Sequence, residues 1–229
     1  MCRSRERARA LIMAGNVLVD DVPVTKAGTK VAPASNIRLR KPDFPYVSRG
    51  GVKLSGALDD FGIGVEGMVA LDAGASTGGF TDCLLQRGAR RVYAVDVGRG
   101  QLHEKLRRDP RVVVKDRTNL RNLTMADIGE PVDMATLDLS FISLRLVLGP
   151  VKDVLVAGGK VVALVKPQFE LRPENVGKGG IVRSDELRWK AVDSVIGYAE
   201  KIGFRCAAKS ESRLAGADGN REIFILLEW

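Results

Sequence analysis

Residues 68–86, MVALDAGASTGGFTDCLLQ, constrain this chain more than any other stretch. Met68 to Leu71 read as the end of a buried strand that Asp72 closes, and Gly74, Gly78 and Gly79 make a loop with almost no side-chain bulk. From Thr81 the pattern turns helical, with Phe80, Cys83 and Leu84 on one face. Strand, glycine loop and helix in that order bring backbone N–H groups and a helix N-terminus against a ligand in α/β proteins. Glycine suits such a loop where the backbone approaches a ligand or takes a positive φ. The competing reading is a plain strand-to-helix connection. Against it stand Asp72 and the later acid Asp96, both placed where ligand contacts are needed.

The rest of the chain keeps the same rhythm. After an N-terminal segment, residues 48–61 open a helix at Ser48-Arg49-Gly50-Gly51-Val52-Lys53-Leu54. The first strand is expected over 65–71, and RVYAVD at 91–96 is the second, with Asp96 lying 22 residues after Gly74. An acid at that distance, ending the second strand, is placed to hold ribose hydroxyls. A helix over 101–108 and a strand over 111–115 ending at Asp116 come next. They are followed by a strand over 132–138, a helix over 144–155 and a strand over 160–165 ending at Lys166-Pro167. Gly177-Lys178-Gly179-Gly180 reads as an irregular loop, 185–202 as an amphipathic helix, and 204–212 with 222–228 as a closing antiparallel pair. Alternating β and α units with short connections predict an α/β fold with a mainly parallel sheet covered on both faces.

Charge divides the chain. Residues 1–53 hold 11 Lys/Arg against 4 Asp/Glu, whereas the remaining residues hold 25 against 24. The excess sits in a segment where RSRERARALIMA alternates basic and apolar residues at helical spacing, with Ala8, Leu11 and Ile12 facing inward. Short strands follow it, in a unit too small to bury much of a core. Arg3, Arg5, Arg7 and Arg9 suit phosphate contacts, which give affinity to a polyanion without sequence selection. Three cysteines and a single histidine form no CxxC pair and no zinc cluster, so no metal is expected. Reduced thiols, no apolar run of membrane-spanning length and charged residues directly after Met1 point to a cytoplasmic protein. The prolines of Lys41-Pro42-Asp43-Phe44-Pro45 mark the break, giving a basic module over 1–41, a linker over 42–47 and an α/β domain over 48–229.

The loop selects among ligands. A dinucleotide site wants G-x-G-x-x-G over a pyrophosphate, and this loop reads G-A-S-T-G-G. A triphosphate site wants G-x-x-x-x-G-K-[ST], and no lysine follows Gly79. A glycine loop beneath a carboxylate, with a ribose acid on the next strand, fits S-adenosylmethionine, which carries no phosphate. Ligands and reacting groups gather at the carboxyl ends of strands in such sheets. Here Asp138 and Lys166 stand at strand ends, Lys53 precedes the sheet and Glu222 opens the final strand.

Gly50-Gly51-Val52-Lys53, the run 72–82 (DAGASTGGFTD), Asp138-Leu139-Ser140-Phe141-Ile142-Ser143, Val165-Lys166-Pro167-Gln168-Phe169-Glu170 and Gly219-Asn220-Arg221-Glu222 together resemble the TlyA proteins over nearly the whole chain. The resemblance implies a Rossmann-like S-adenosylmethionine-dependent methyltransferase fold related to the FtsJ-type RNA methyltransferases, with a small N-terminal α+β RNA-binding module. It implies 2′-O-ribose methylation of ribosomal RNA, with cytidine the expected nucleotide, in a family historically also called hemolysins. The Lys-Asp-Lys-Glu tetrad of such enzymes falls on Lys53, Asp138, Lys166 and Glu222. The family's N-terminal motif usually begins with an extra helix. This chain starts inside that motif at Met1-Cys2-Arg3, so a shortened module is expected.

On this reading Asp72, Gly74, Ala75, Ser76, Thr77, Gly78 and Gly79 hold the methionine part of the cofactor, Asp96 its ribose, and Asp116 and Asn119 lie near adenine. Lys166 orients or deprotonates the ribose hydroxyl, which needs an accessible neutral amine favoured by burial and a nearby cation. Asp138 sits near the sulfonium and holds Lys166, Glu222 orders both lysines, and Lys53 meets RNA phosphate as Arg49 does. Enzymes that methylate exocyclic base nitrogens often carry Asp/Asn-Pro-Pro-aromatic where this chain has Asp138-Leu139-Ser140-Phe141. Ribosomal RNA or a ribosomal subunit is the expected partner of a monomeric enzyme. A membrane-active hemolysin, a nicotinamide oxidoreductase and a non-catalytic RNA-binding protein are the alternatives. The first lacks a spanning or amphipathic membrane segment, and the last leaves the tetrad unexplained.

Overall fold

The basic N-terminal sequence builds one helix and three short strands, and the rest of the chain builds a seven-stranded sheet wrapped by helices. The computed structural model describes residues 5–40, 44–216 and 218–229, without the side chain of Arg7. The chain divides into two compact units, residues 1–45 and 46–229.

In the first unit, helix α1 (Arg5–Met13) packs Leu11 inward. Strand β1 (Val17–Val19) pairs antiparallel with β2 (Val22–Val24) and with β3 (Ile37–Leu39). Asp20 and Asp21 make the tight turn between β1 and β2 with positive φ, a conformation that Asp tolerates better than most residues. Asp20 Oδ1 accepts from Asn36 N–H at 2.8 Å, tying that turn to the entry of β3.

The second unit runs α2 (Arg49–Phe61), β4 (Val69–Ala73), α3 (Gly79–Gln86), β5 (Arg91–Val95), α4 (Glu104–Arg107), β6 (Val112–Lys115), α5 (Met125–Ile128) and β7 (Val132–Leu137). It continues with α6 (Leu148–Lys152), β8 (Leu155–Val165), α7 (Pro167–Glu170), α8 (Asp185–Lys201), β9 (Arg205–Glu211) and β10 (Ile223–Glu228). The sheet order is β6-β5-β4-β7-β8-β10-β9. The first five strands are parallel, and β10 inserts antiparallel between β8 and β9.

Strand alternation divides the core between two faces. Val69, Leu71, Leu137 and Val165 pack with Val147, Leu148, Val192 and Val195 on the α6 and α8 side. Ala70, Met134, Leu164 and Phe224 pack with Leu54, Leu58, Leu84 and Leu106 on the α2, α3 and α4 side. Each fully buried leucine contributes about 1.5–3 kcal/mol. With both faces covered, the central strands read as nearly continuous apolar runs, as expected of a parallel sheet.

The helix expected over 144–155 forms differently. A 3-10 turn at Leu144–Leu146 leads into α6, which ends at Lys152, and Leu155 already belongs to β8. Gly149 and Pro150 keep α6 short, and the β8 register shifts between its pairs with Val132 and Met134, so the strand reaches back past Gly158-Gly159. The helix expected over 101–108 begins at Glu104, because the ring of His103 caps it by accepting from Lys105 N–H at 3.2 Å. Among the described residues no helix is long and apolar enough to cross a membrane, and no group of three or more His, Cys, Asp or Glu is gathered to hold a metal ion.

Candidate active site

The glycine loop between β4 and α3 is shaped by its protein neighbours as much as by any ligand. Gly74 turns the chain at φ +88°, and a Cβ there would come within 2.8 Å of the Asp138 carbonyl oxygen. The loop therefore lies directly on the end of β7. At Gly79 a Cβ would come within 2.9 Å of Gly51 N and collide with Ser48 Oγ. The start of α3 thus touches the start of α2, and Asp82 secures the contact by accepting from Val47 N–H at 2.9 Å. That close approach carries Lys53, one turn into α2, to the foot of the loop.

On one side of the loop lies a cavity of about 340 Å³. Asp96 stands on its wall, with Oδ2 accepting from Ser76 N–H at 2.8 Å and Oδ1 from Gly98 N–H at 2.7 Å. Each carboxylate oxygen keeps a lone pair for a further donor. Asn119 also lines the cavity, and its Oδ1 accepts from Arg121 N–H, leaving its amide N–H₂ to donate. Val97, Leu120 and Ile142 supply apolar wall.

Two acids expected at this ligand lie elsewhere. Asp116 takes Arg107 Nη2 at 2.7 Å and Gly100 N–H at 3.1 Å, and lines neither cavity beside the loop. The Arg107 guanidinium holds its carboxyl below the usual carboxylate range. Asp72 is inside β4 rather than at its end and is fully buried, with the side-chain direction of Ala70. It accepts from Thr81 Oγ1 at 2.6 Å and sits 3.5 Å from Thr136 Oγ1, behind the loop rather than in the cavity. Burial, with a smaller contribution from the Asp138 charge, pushes its carboxyl up to about 7 against the hydroxyl bond of Thr81.

On the other side of the loop, Lys53, Asp138, Ser140 and Lys166 line a cavity of about 280 Å³ together with Gly74, Ala75, Ser76, Thr77 and Gly79. Gly78, at φ +94°, caps α3 next to it. Lys166 Nζ lies 2.6 Å from Asp138 Oδ1 and donates to Ser140 Oγ at 3.1 Å. Lys53 Nζ donates to Glu222 Oε2 at 2.5 Å, and both side chains are buried. Strand parity explains the meeting. Lys166 continues the direction of Val162 and Leu164, and Glu222 that of Phe224 and Leu226, toward the sheet face that α2 covers. Three members of the expected tetrad reach the cavity, while Glu222 stands behind Lys53 as its partner and is expected to touch Lys53 rather than both lysines.

Arg49 is exposed on the rim of this cavity, where its guanidinium donates to the Ala215 carbonyl. In the first unit, Arg5 and Arg9 of α1 face an open groove of about 730 Å³ with Lys26 on its opposite wall. Arg3 and the side chain of Arg7 lie outside the described residues.

Several wall residues gave no sequence signal of their own. Gln101 faces the first cavity, and Ser76 Oγ donates to its Oε1 at 3.2 Å. Ser140 borders both cavities. Phe141 holds φ +62° with 89% of its surface exposed, and its ring lies 5.0 Å from that of Phe169. A bulky residue at positive φ marks a loop whose conformation is imposed by its surroundings. The strand-end serine and the exposed aromatic beside Asp138 were the readable hints. Cys83 is buried on α3, where burial pushes its thiol up to about 11 and keeps it unreactive.

The sequence matches the model of the FtsJ-like methyltransferases over residues 46–229 and that of the S4 domain over residues 1–37. It is 46% identical over 228 residues to the 16S/23S rRNA (cytidine-2′-O)-methyltransferase TlyA of Mycobacterium tuberculosis, covering 99% of this chain and 85% of that one. Among solved structures, a hemolysin-named protein of Streptococcus thermophilus superposes with a TM-score of 0.81 at 43% identity, covering 99% of this chain and 83% of that chain. An S-adenosylmethionine-dependent methyltransferase of Mesorhizobium loti shares the fold alone, with a TM-score of 0.57 at 16% identity over 76% of this chain and 96% of that chain. The glycine loop after β4, the two lysine–carboxylate pairs and the likeness to TlyA over 99% of this chain agree, and the chain belongs to the TlyA proteins among the FtsJ-like methyltransferases.

Proposed function

We propose that the protein methylates a ribose 2′-hydroxyl of ribosomal RNA with S-adenosylmethionine as donor. The carrying observation is the Asp138–Lys166 pair on the wall of the cavity beneath the glycine loop, with Lys53 on the same wall. The residues fit the cofactor. Asp96 offers lone pairs for two ribose hydroxyls, Asn119 offers amide hydrogens, and Val97, Leu120 and Ile142 form an apolar slot for a base. The loop 74–79 has room for an amino acid moiety and no lysine for a phosphate. When bound, S-adenosylmethionine supplies an electrophilic methyl group on a sulfonium.

The chain's own groups then orient the acceptor. The Lys166 ammonium has three N–H donors, more than its contacts with Asp138 and Ser140 use, and it holds the acceptor oxygen at the cavity wall. That placement supplies the orientation on which a methyl displacement depends, and the hydroxyl proton leaves to water at the open cavity. The Asp138 carboxylate fixes the lysine and contributes negative charge where a sulfonium is received. Lys53, held by Glu222, adds positive charge for the RNA backbone. Arg49 on the rim and Arg5, Arg9 and Lys26 in the first unit meet further phosphates, which position RNA without reading bases. Wild-type protein incubated with labelled donor and ribosomal subunits or rRNA is expected to yield a 2′-O-methylated nucleotide, a cytidine on the likeness to TlyA. Methyl incorporation at a base, or none into either rRNA, overturns the assignment.

A further inference from the structure

The two segments that carry Asp138 and Lys166 are joined at two places. At one end Lys166 Nζ meets Asp138 Oδ1 at 2.6 Å. At the other, Ser143 Oγ donates to Glu170 Oε2 at 2.5 Å and Leu144 N–H donates to Glu170 Oε1 at 2.7 Å. The Arg145 guanidinium lies 3.7 Å from the same carboxylate. Glu170 is 8% exposed, and a buried carboxylate is tolerated only where hydrogen bonds and countercharge compensate its desolvation. Here all of its partners come from one short stretch, residues 143–145. Between the two joints lie Ser140, which accepts from Lys166, and Phe141, strained at φ +62° with its ring against Phe169.

This arrangement does more than cap a 3-10 turn. Ser140 borders both cavities, and Leu139, Phe141 and Ile142 line the first, so a shift of that loop moves Ser140 relative to Lys166 while Asp96 keeps its bonds to Ser76 and Gly98. We propose that Glu170 is a positioning residue for methyl transfer: by holding Ser143 and Leu144 it sets the loop 139–143 against Lys166 and so fixes the acceptor side of the site. The inference rests on the methyltransferase reading above, and Glu170 itself lines neither cavity.

Full-length Glu170→Ala, Glu170→Gln and Ser143→Ala proteins test it through four readouts. These are hydrogen exchange of peptides covering 139–147, calorimetric affinity for S-adenosylmethionine, thermal unfolding, and kcat and KM on ribosomal RNA. Glu170→Ala is expected to speed exchange in 139–147 selectively and to lower kcat on the order of 10²-fold, the cost of a small misplacement near the reacting atoms. Donor affinity should fall far less than kcat, since Ile142 is the loop's one contribution to the apolar slot and Asp96 stays in place, so the main loss falls on orientation. Glu170→Gln keeps an acceptor for Leu144 N–H and an amide for Ser143, so it is expected to recover most of kcat. If Glu170→Ala does not fold, Ser143→Ala removes one hydroxyl and carries the same expectation at smaller amplitude. Unchanged kcat with faster loop exchange overturns the proposal, as does a loss of kcat matched by parallel losses in donor affinity and melting temperature. Wild-type protein that transfers no methyl group to RNA would sink the methyltransferase reading instead, leaving the loop-exchange result standing.

Discussion

Lys53–Glu222 and Lys166–Asp138 are both lysine–carboxylate contacts, at 2.5 Å and 2.6 Å, and they differ in where the solvent is. The first pair is 7% and 3% exposed, the second 12% and 23%. A charge taken wholly out of water leans on its partner, and removing that partner strands it. A charge at a cavity wall keeps contact with whatever enters the cavity. Both lysines line the cavity, but Glu222 does not, so the first pair also ties α2 to the start of β10, whereas both partners of the second face a reactant. Residue type and distance alone would have ranked the two pairs as equals.

The sharpest way to break this distinction is Lys166→Ala. Methyl transfer should fall on the order of 10²-fold or more, the cost of losing the group that orients the acceptor oxygen, with the melting temperature almost unmoved. Full methyl transfer by that variant would end the assignment. Glu222→Ala should reverse the pattern by leaving the Lys53 ammonium buried without countercharge, at a cost of about 3–5 kcal/mol. Thermal unfolding would then drop by roughly 10 °C in a domain of this size. An unchanged melting temperature would show the buried pair to be dispensable.

Asp96→Ala leaves both pairs in place and probes the donor side. It should weaken S-adenosylmethionine binding by on the order of 10- to 100-fold through the loss of hydrogen bonds worth about 1–3 kcal/mol. Calorimetry reads this directly, and equal affinity would move the ribose site elsewhere. Asp72 is read through the pH dependence of stability instead. Its folded carboxyl is raised to about 7, above its unfolded value, so its stabilising contribution is fully present below the unfolded pKa and is lost as pH rises through about 7. Asp72→Asn keeps an acceptor for Thr81 and should flatten the fall in stability between about pH 4 and 7 in denaturant titrations. A slope equal to wild type would mean that Asp72 is ionised throughout.

The strand–loop–helix at residues 68–86 was legible because glycine spacing and apolar runs are local signals, and Asp96 was legible from its distance to them. Lys53 and Glu222 stood out by their places before the sheet and at the final strand, but only family likeness joined them, because their meeting depends on strand parity and on the packing of Gly79 against α2, neither of which is written in a local pattern. Asp116 was read as ligand-facing because it follows a strand, but Arg107, from the preceding helix, captures it. The helix expected over 144–155 joined two elements because apolar residues stand on both sides of Lys152-Asp153, and the pairing of Leu155 with Val132 separates them. Helix α5 escaped notice at four residues, although Thr124 and Asp127 form a capping box at its start.

The contact between Lys53 and Glu222 spans 169 positions, and the strand that follows Glu222 fits between two strands made earlier. A ribosome making this protein therefore releases the glycine loop, Asp138 and Lys166 well before the chain can close its sheet. The pairing of β10 with β8 and β9 is what holds Glu222 against Lys53. A chain cut short just before Ile223 would hold every site residue named above without the strand that joins β8 to β9.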